Sequence, residues 1–238
     1  MIGIMSASDR DYRLVLLRHG ETAWSAARKH TGRTDVALTE HGEAQARAAG
    51  KVLAGLDLSD PLVLTSPKKR AVHSAELAGL PDPRIDDELV EWDYGDYEGL
   101  TTPQIRETAP GWTVFTGDVP GGESVDAVGE RADRVLETVA PALSTRDVVL
   151  VGHGHFSRVL IARWAGFPAR EGRRFFLSTA AISVLGHDHQ AATILAHNIV
   201  PPEASRESSP EASRASSPEA SRESSPEASR ASSPEASR

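Results

Sequence analysis

Three short runs of uninterrupted apolar residues do most to limit how this chain can fold: Leu14–Leu17, Leu62–Thr65 and Val148–Val151. None alternates between apolar and polar, so each reads as a strand buried on both faces. Strands of that kind sit inside a largely parallel sheet with helices above and below. The sequence between them supplies the helices. Thr39 suits the N-cap of a helix from Glu40 to about Leu56, with Ala44, Ala48, Val52 and Leu56 along its apolar face. Ser66 and Pro67 suit the N-cap and first position of a helix after the second strand. A long helix is expected over Ser124 to Leu143 and another from about Phe156, while Ile182–Leu185 and Thr193–Ala196 read as closing strands. From Pro81 to about Gly122 the pattern is loop-rich, with short strand-like pieces. This alternation predicts an α/β fold whose sheet is covered on both faces.

The chain of 238 residues does not all carry such patterns. From Glu203 onward an octapeptide, EASRESSP or EASRASSP, repeats four times and stops at EASR. It holds no large apolar residue, so it cannot bury enough surface to offset the entropy of ordering. Residues 1–12 are expected to form a flexible N-terminus, 13–199 one folded domain, and 200–238 a disordered tail rich in Ser, Pro, Glu and Arg. The net charge of −8 argues against a nucleic-acid partner, as does the lack of a basic stripe with interleaved aromatics. The absence of cysteine excludes disulfides, thiol catalysis and cysteine-ligated metals. No apolar stretch approaches the ~20 residues of a membrane span, and Met1 to Asp11 lacks a signal peptide's apolar core. The expected location is cytoplasmic.

Two of the strands end alike. The first runs into Arg18-His19-Gly20 and the third into Gly152-His153-Gly154, and the second leads to Arg70 near the start of its helix. Ligands of open α/β sheets bind outside the carboxyl ends of the strands. Glycine beside each histidine would let backbone approach a ligand, and arginine matches phosphate oxygens without losing its charge. Three strand ends thus converge two arginines and two histidines on one spot suited to an anion. Gly152–His155 and His187–His189 could also be read as metal sites, but no acidic or cysteine ligand set accompanies them, so no metal or cofactor is expected.

The segments LLRHGETAW, TSPKKRA, EWDYGDYEG, PGGES and VGHGHFSR, in that order, resemble the histidine phosphatase superfamily, also called phosphoglycerate mutase-like, over about residues 13 to 198. The likeness is strongest to small bacterial acid phosphatases and phosphoglycerate mutase-like proteins. It implies a three-layer α/β/α fold with a mostly parallel central sheet. By the same resemblance His19 is the nucleophile that becomes phosphohistidine. Arg18, Arg70 and His153 hold the phosphoryl oxygens, and Glu91 is the proton donor. Thr31 lines the pocket and His155 stands at its rim. Ser25 stands where family members often carry an asparagine that contacts phosphate.

That chemistry suits the residues. A neutral imidazole is not repelled by a phosphate dianion, and Arg18 and Arg70 would hold His19 unprotonated. The arginines, with a protonated His153, would stabilise the transferring phosphoryl group without a metal. Glu91 would protonate the leaving alkoxide and then activate water. The expected activity is a metal-independent, acid-type phosphomonoesterase acting on a small phosphorylated metabolite. The alternatives are a cofactor-dependent phosphoglycerate mutase and a non-catalytic phospho-ligand binder. Against the mutase, the span from Thr101 to Thr145 is acid-rich and lysine-free, with Arg131 and Arg134 expected on an exposed helix face. Trp92, Tyr94, Trp112 and Phe115 could wall the pocket for a ring-bearing leaving group, or simply pack the loop-rich region. The oligomeric state, a homodimer included, is left open.

Overall fold

The computed structural model describes residues 12–202. The expectations for the extreme N-terminus and for the repeats from Glu203 lie outside the described residues. Six strands form one sheet: β1 (Leu14–Arg18), β2 (Leu62–Thr65), β3 (Arg84–Ile85), β4 (Val148–Gly152), β5 (Ile182–Asp188) and β6 (Ala191–Ile199). Their order is β3-β2-β4-β1-β5-β6. The first four in that order are parallel, and β5 and β6 close the sheet antiparallel. The helices are α1 (Ala23–Ala26), α2 (Glu40–Ala54), α3 (Lys69–Leu77), α4 (Thr102–Thr108), α5 (Val125–Leu143) and α6 (Gly154–Trp164).

The three apolar runs are uninterrupted because each strand serves two cores. Leu14, Leu16, Leu64, Val148 and Leu150 face a cluster with Trp92, Phe156, and the inner residues of α5 and α6. Val15, Leu17, Val63, Val149 and Val151 face the other way, onto Ala49 and Leu53 of α2 and Ala71 and Ala75 of α3. The result is the expected three-layer α/β/α architecture. No helix among the described residues is long and apolar enough to cross a membrane.

Several local expectations shift. Thr39 caps α2 by accepting the Gly42 N–H, as expected. The buried stripe of α2 runs through Gly42, Gln45, Ala46, Ala48, Ala49 and Leu53, so Ala48 faces the core as expected, Val52 and Leu56 pack at its margin, and Ala44 is exposed. An i, i+4 series drifts about 40° per step around a helix of 3.6 residues per turn, so Ala44, Ala48, Val52 and Leu56 cannot share one narrow face. Helix α3 starts at Lys69 with Lys68 as N-cap, later than Ser66 and Pro67 suggested. Helix α6 starts two residues earlier than expected, with His153 as its N-cap. Strands β5 and β6 extend past the last pairing with β1 at Leu14–Leu185, so their exposed ends carry no apolar signal.

Candidate active site

Strands β1 and β4 are paired in register, Arg18 against Gly152. The next residue of each, His19 and His153, therefore leaves the sheet at the same edge, and the His19 N–H donates to the Gly152 carbonyl at 3.0 Å. The two imidazole centroids are 5.2 Å apart. Nδ1 of His19 lies 2.7 Å from the Gly20 carbonyl. A carbonyl only accepts, so the proton belongs on Nδ1 and the Nε2 lone pair is free. Burial pushes the His19 pKa well below the ordinary histidine value, and Arg70 and Arg18 push it the same way. The expected electrostatic effect is present, but desolvation is the larger cause.

His153 is held in the opposite tautomer. Arg70 Nε–H donates to its Nδ1 at 3.2 Å, which requires that nitrogen to be unprotonated. The proton sits on Nε2, 2.7 Å from the Ser66 hydroxyl. Burial, reinforced by Arg70 and His19, holds the ring neutral. The expectation of a protonated His153 is thus corrected: a third cation beside two guanidinium groups is what this environment disfavours.

The two arginines differ in what they can still bind. Arg70 is fully buried and gives Nη1 to the Thr34 carbonyl and Nη2 to the carbonyls of Thr31 and Gly32, besides Nε to His153. One Nη1 N–H is left. Arg18 gives only Nη1, to the Leu177 carbonyl at 2.6 Å, and its buried Nε has no partner among the described residues. Buried donors are rarely left unsatisfied, so Arg18 is the arginine with donors still open to a ligand. Burial lowers the pKa of both arginines, with Glu91 opposing.

The glycines make room for protein more than for ligand. A Cβ on Gly20 would lie 2.1 Å from the Gly42 carbonyl oxygen at the start of α2. One on Gly154 would lie 3.2 Å from the Arg18 guanidinium carbon. The first allows helix α2 to dock against the loop after His19, and the second lets Arg18 pack against the start of α6.

Glu91 is nearly buried beneath the first turn of α6. Its carboxylate accepts the backbone N–H groups of Trp92, His155 and Phe156 at 2.8–3.0 Å. The segment before it is pinned by Arg131, which donates to the carbonyls of Glu88 and Val90 and pairs with Glu123. Arg131 is therefore buried, not on the exposed face expected from the helix pattern, whereas Arg134 is exposed. The reason is that its partners arrive from a segment about forty residues away, which helical periodicity cannot register.

The remaining candidates are distributed as follows. His155 is neutral, held so by burial and then by Arg158, and shares a 2.6 Å hydrogen bond with the Tyr94 hydroxyl. Thr31 contributes its carbonyl to Arg70, while its hydroxyl donates to the Lys29 carbonyl. Ser25 accepts the Thr22 N–H and donates its own proton to the Thr22 carbonyl, closing the cap of α1. That leaves Ser25 no proton for a phosphate oxygen. Of the four aromatics weighed as pocket walls, Trp92 and Trp112 give their indole N–H groups to the carbonyls of Glu123 and Asp118 and pack inside.

Sequence reasoning passed over Ser66 and Glu98. Glu98 accepts the N–H groups of Gly32 and Thr34, fixing the loop whose carbonyls hold Arg70. The only signal for either was its place inside a motif already quoted, TSPKKRA and EWDYGDYEG. Among the described residues no three His, Asp or Glu side chains converge in a way that would hold a metal ion. The arrangement is an unprotonated imidazole nitrogen beside buried, partly unsatisfied guanidinium charge, which suits attack on an anionic electrophile.

A model of the histidine phosphatase superfamily, branch 1, matches residues 14–200. An acid phosphatase of Mycobacterium tuberculosis is 52% identical over 180 residues, which cover 76% of this chain and 89% of that protein. A sedoheptulose 1,7-bisphosphatase of Saccharomyces cerevisiae is 30% identical over 188 residues, covering 67% of this chain and 69% of its own length. Among solved structures, an open reading frame product of Mycobacterium tuberculosis matches with a TM-score of 0.79 at 48% identity, covering 81% of this chain and 100% of that one.

Proposed function

The chain belongs to the histidine phosphatase superfamily and is a phosphoric monoester hydrolase, and from that premise we propose that it works through a phosphohistidine on His19 without a metal. The observation that carries this is the free Nε2 lone pair of a neutral, buried His19 beside the unsatisfied Nε–H of Arg18. The Nε2 lone pair forms the bond to phosphorus as the ester P–O bond breaks. Glu91 gives its proton to the departing oxygen, so the first product leaves as a neutral alcohol. Glu91 Oε1 accepts two amide N–H groups and its Oε2 only one, which leaves Oε2 a site for that proton. Water then attacks the phosphohistidine, Glu91 takes the water's proton, the N–P bond breaks, and inorganic phosphate leaves. Arg18 supplies most of the donors to the transferring phosphoryl oxygens. Arg70 supplies one N–H and, through Nε, fixes the tautomer of His153.

Rapid-quench labelling with a radioactive phosphoester tests the reading. Label on the His19 imidazole, formed and discharged at the turnover rate, is expected, and hydrolysis without it sinks the proposal. His19→Ala should remove both label and turnover. A chelator should leave activity intact. Release of phosphate from 3-phosphoglycerate, set against its conversion to 2-phosphoglycerate, separates hydrolase from mutase. Hydrolysis is expected to dominate.

A further inference from the structure

The buried face of α3 consists of Arg70, Ala71, Ser74 and Ala75. Arg70 belongs to the site, and the two alanines pack into the core. Ser74 is the exception. It is a fully buried hydroxyl in a helix interior, where alanine would fill nearly the same space and favour the helix more. Its hydrogen bonds say what the hydroxyl is for. The proton goes to the Arg70 carbonyl one turn back, at 2.6 Å. A carbonyl only accepts, so the Ser74 oxygen is left as an acceptor, and the Gly20 N–H donates to it at 3.0 Å. The helix that carries Arg70 is thereby tied to the residue that follows His19.

Gly20 matters because its carbonyl takes the His19 Nδ1–H at 2.7 Å. The backbone on either side is fixed by other partners. His19 is tied through its N–H to Gly152 and through its carbonyl to Ala180, and Glu21 is tied to Gln45 and Thr39. The Gly20 peptide itself is held by Ser74. Attack through Nε2 leaves the imidazole with its Nδ1 proton and a positive charge. Burial, Arg70 and Arg18 oppose that charge, and the Gly20 carbonyl favours it. The Nδ1–H bond to Gly20 therefore strengthens as phosphorus is captured, as a charge-assisted hydrogen bond does. An interaction that is stronger in the transition state than in the ground state speeds the chemical step and leaves substrate binding unchanged.

We propose that Ser74 is a positioning residue for phosphoryl transfer, its hydroxyl holding the Gly20 peptide so that the carbonyl meets the His19 Nδ1–H. It acts through Gly20 and not on the substrate. The inference rests on the assignment of His19 as nucleophile given above. Ser74→Ala removes the acceptor, and Ser74→Cys keeps the bulk of the side chain with a far weaker one. For the intact chain and both variants, the rate at which radioactive phenyl phosphate labels the protein is measured in single turnovers, beside the steady-state KM. Nitrogen–proton correlation spectra of labelled histidine record which His19 nitrogen carries the proton. Labelling should slow about five- to tenfold in both variants, the worth of one hydrogen bond, while KM changes by less than about twofold. In the intact chain Nδ1 should carry the proton, and in the variants the His19 signals should move toward a mixture of the two tautomers. A parental labelling rate or a parental His19 spectrum in either variant overturns the proposal and leaves hydrolysis through His19 in place. A loss confined to KM does the same. Should Ser74→Ala not fold, Ser74→Cys decides alone. A Gly20 amide of the intact chain that exchanges freely with solvent overturns the proposal without any variant. Hydrolysis by the intact chain with no label on His19 would instead refute the assigned chemistry.

Discussion

Replacing Arg18 by methionine should slow turnover by about 10²–10³ without weakening the unliganded fold. Arg18 is half-buried, its buried Nε–H is unpaired among the described residues, and burial lowers its pKa without removing its charge. An unsatisfied buried donor costs about 1–3 kcal/mol. Among the described residues the substitution removes one side-chain hydrogen bond, that to the Leu177 carbonyl, which, as a charge-assisted bond, is worth about 1.5–3 kcal/mol. These two effects nearly cancel. Exchanging a buried charge for an apolar side chain of similar volume is often neutral or stabilising by about 1–4 kcal/mol. The Arg18→Met protein without anion should therefore range from equal stability to a gain of about 2 kcal/mol, a rise in Tm of a few degrees. Inorganic phosphate should separate the two proteins in the other direction. At a hundred times its Kd a bound anion stabilises a fold by about 2.7 kcal/mol, and the variant should lose that increment together with about 10²–10³ in kcat. Thermal melts of both proteins with and without phosphate, beside initial rates, give all four numbers. An anion-free variant melting many degrees below the parent would mean that Arg18 holds the sheet edge together. A retained phosphate shift would mean that the anion binds elsewhere. Either result refutes the argument.

Ser66→Ala leaves the His153 Nε2–H without its acceptor in a fully buried position, so kcat/KM should fall about tenfold; Ser66→Thr should recover most of it, and a variant with parental rates would remove Ser66 as a positioning residue. His19, His153 and His155 are held well below the ordinary histidine value, and His30 is lowered to about 4, in each case chiefly by burial. The unfolded chain takes up these protons near pH 6.5 and the native chain does not, so their stability contribution is complete above about pH 6.5 and is lost as pH falls below it, by about 1.4 kcal/mol per pH unit per histidine. For His30 alone the loss reaches about 3 kcal/mol by pH 4; urea unfolding that gives equal stability at about pH 7 and pH 5 would contradict this. Gly20→Ala drives a methyl into the Gly42 carbonyl, and should destabilise the fold by about 1–3 kcal/mol or more; a parental melting temperature would show that α2 can shift freely.

The parts of this protein that could be read from sequence are those whose cause is local or repeated along the chain. An uninterrupted apolar run has one economical explanation, a strand with a core on each side, and Leu14–Leu17 and Val148–Val151 satisfy it residue by residue. Because the strands are parallel, a histidine following each of two neighbours must emerge at a common edge, so convergence of His19 and His153 was legible too. The protonation pattern was not. It depends on which atom each imidazole nitrogen meets, and those atoms come from Gly20, from Arg70 and from Ser66. The charge demanded by phosphoryl transfer suggested a cationic His153, whereas a donated Arg70 N–H requires a neutral one. Gly20 was legible as a place of close approach, but not what approaches: the neighbour is the backbone of α2. Arg131 was hidden for the same reason. A helical arginine at an ordinary surface spacing carries no mark of the distant carbonyls that will surround it. The site's charges are therefore readable as a set, while their division between holding the fold and holding a ligand is decided by which N–H groups the protein has already used. By that measure Arg70, with four of its five donors committed to protein, is mainly a scaffold for His153, and Arg18, with one committed, is the residue that the proposed mechanism leaves to meet the phosphoryl group.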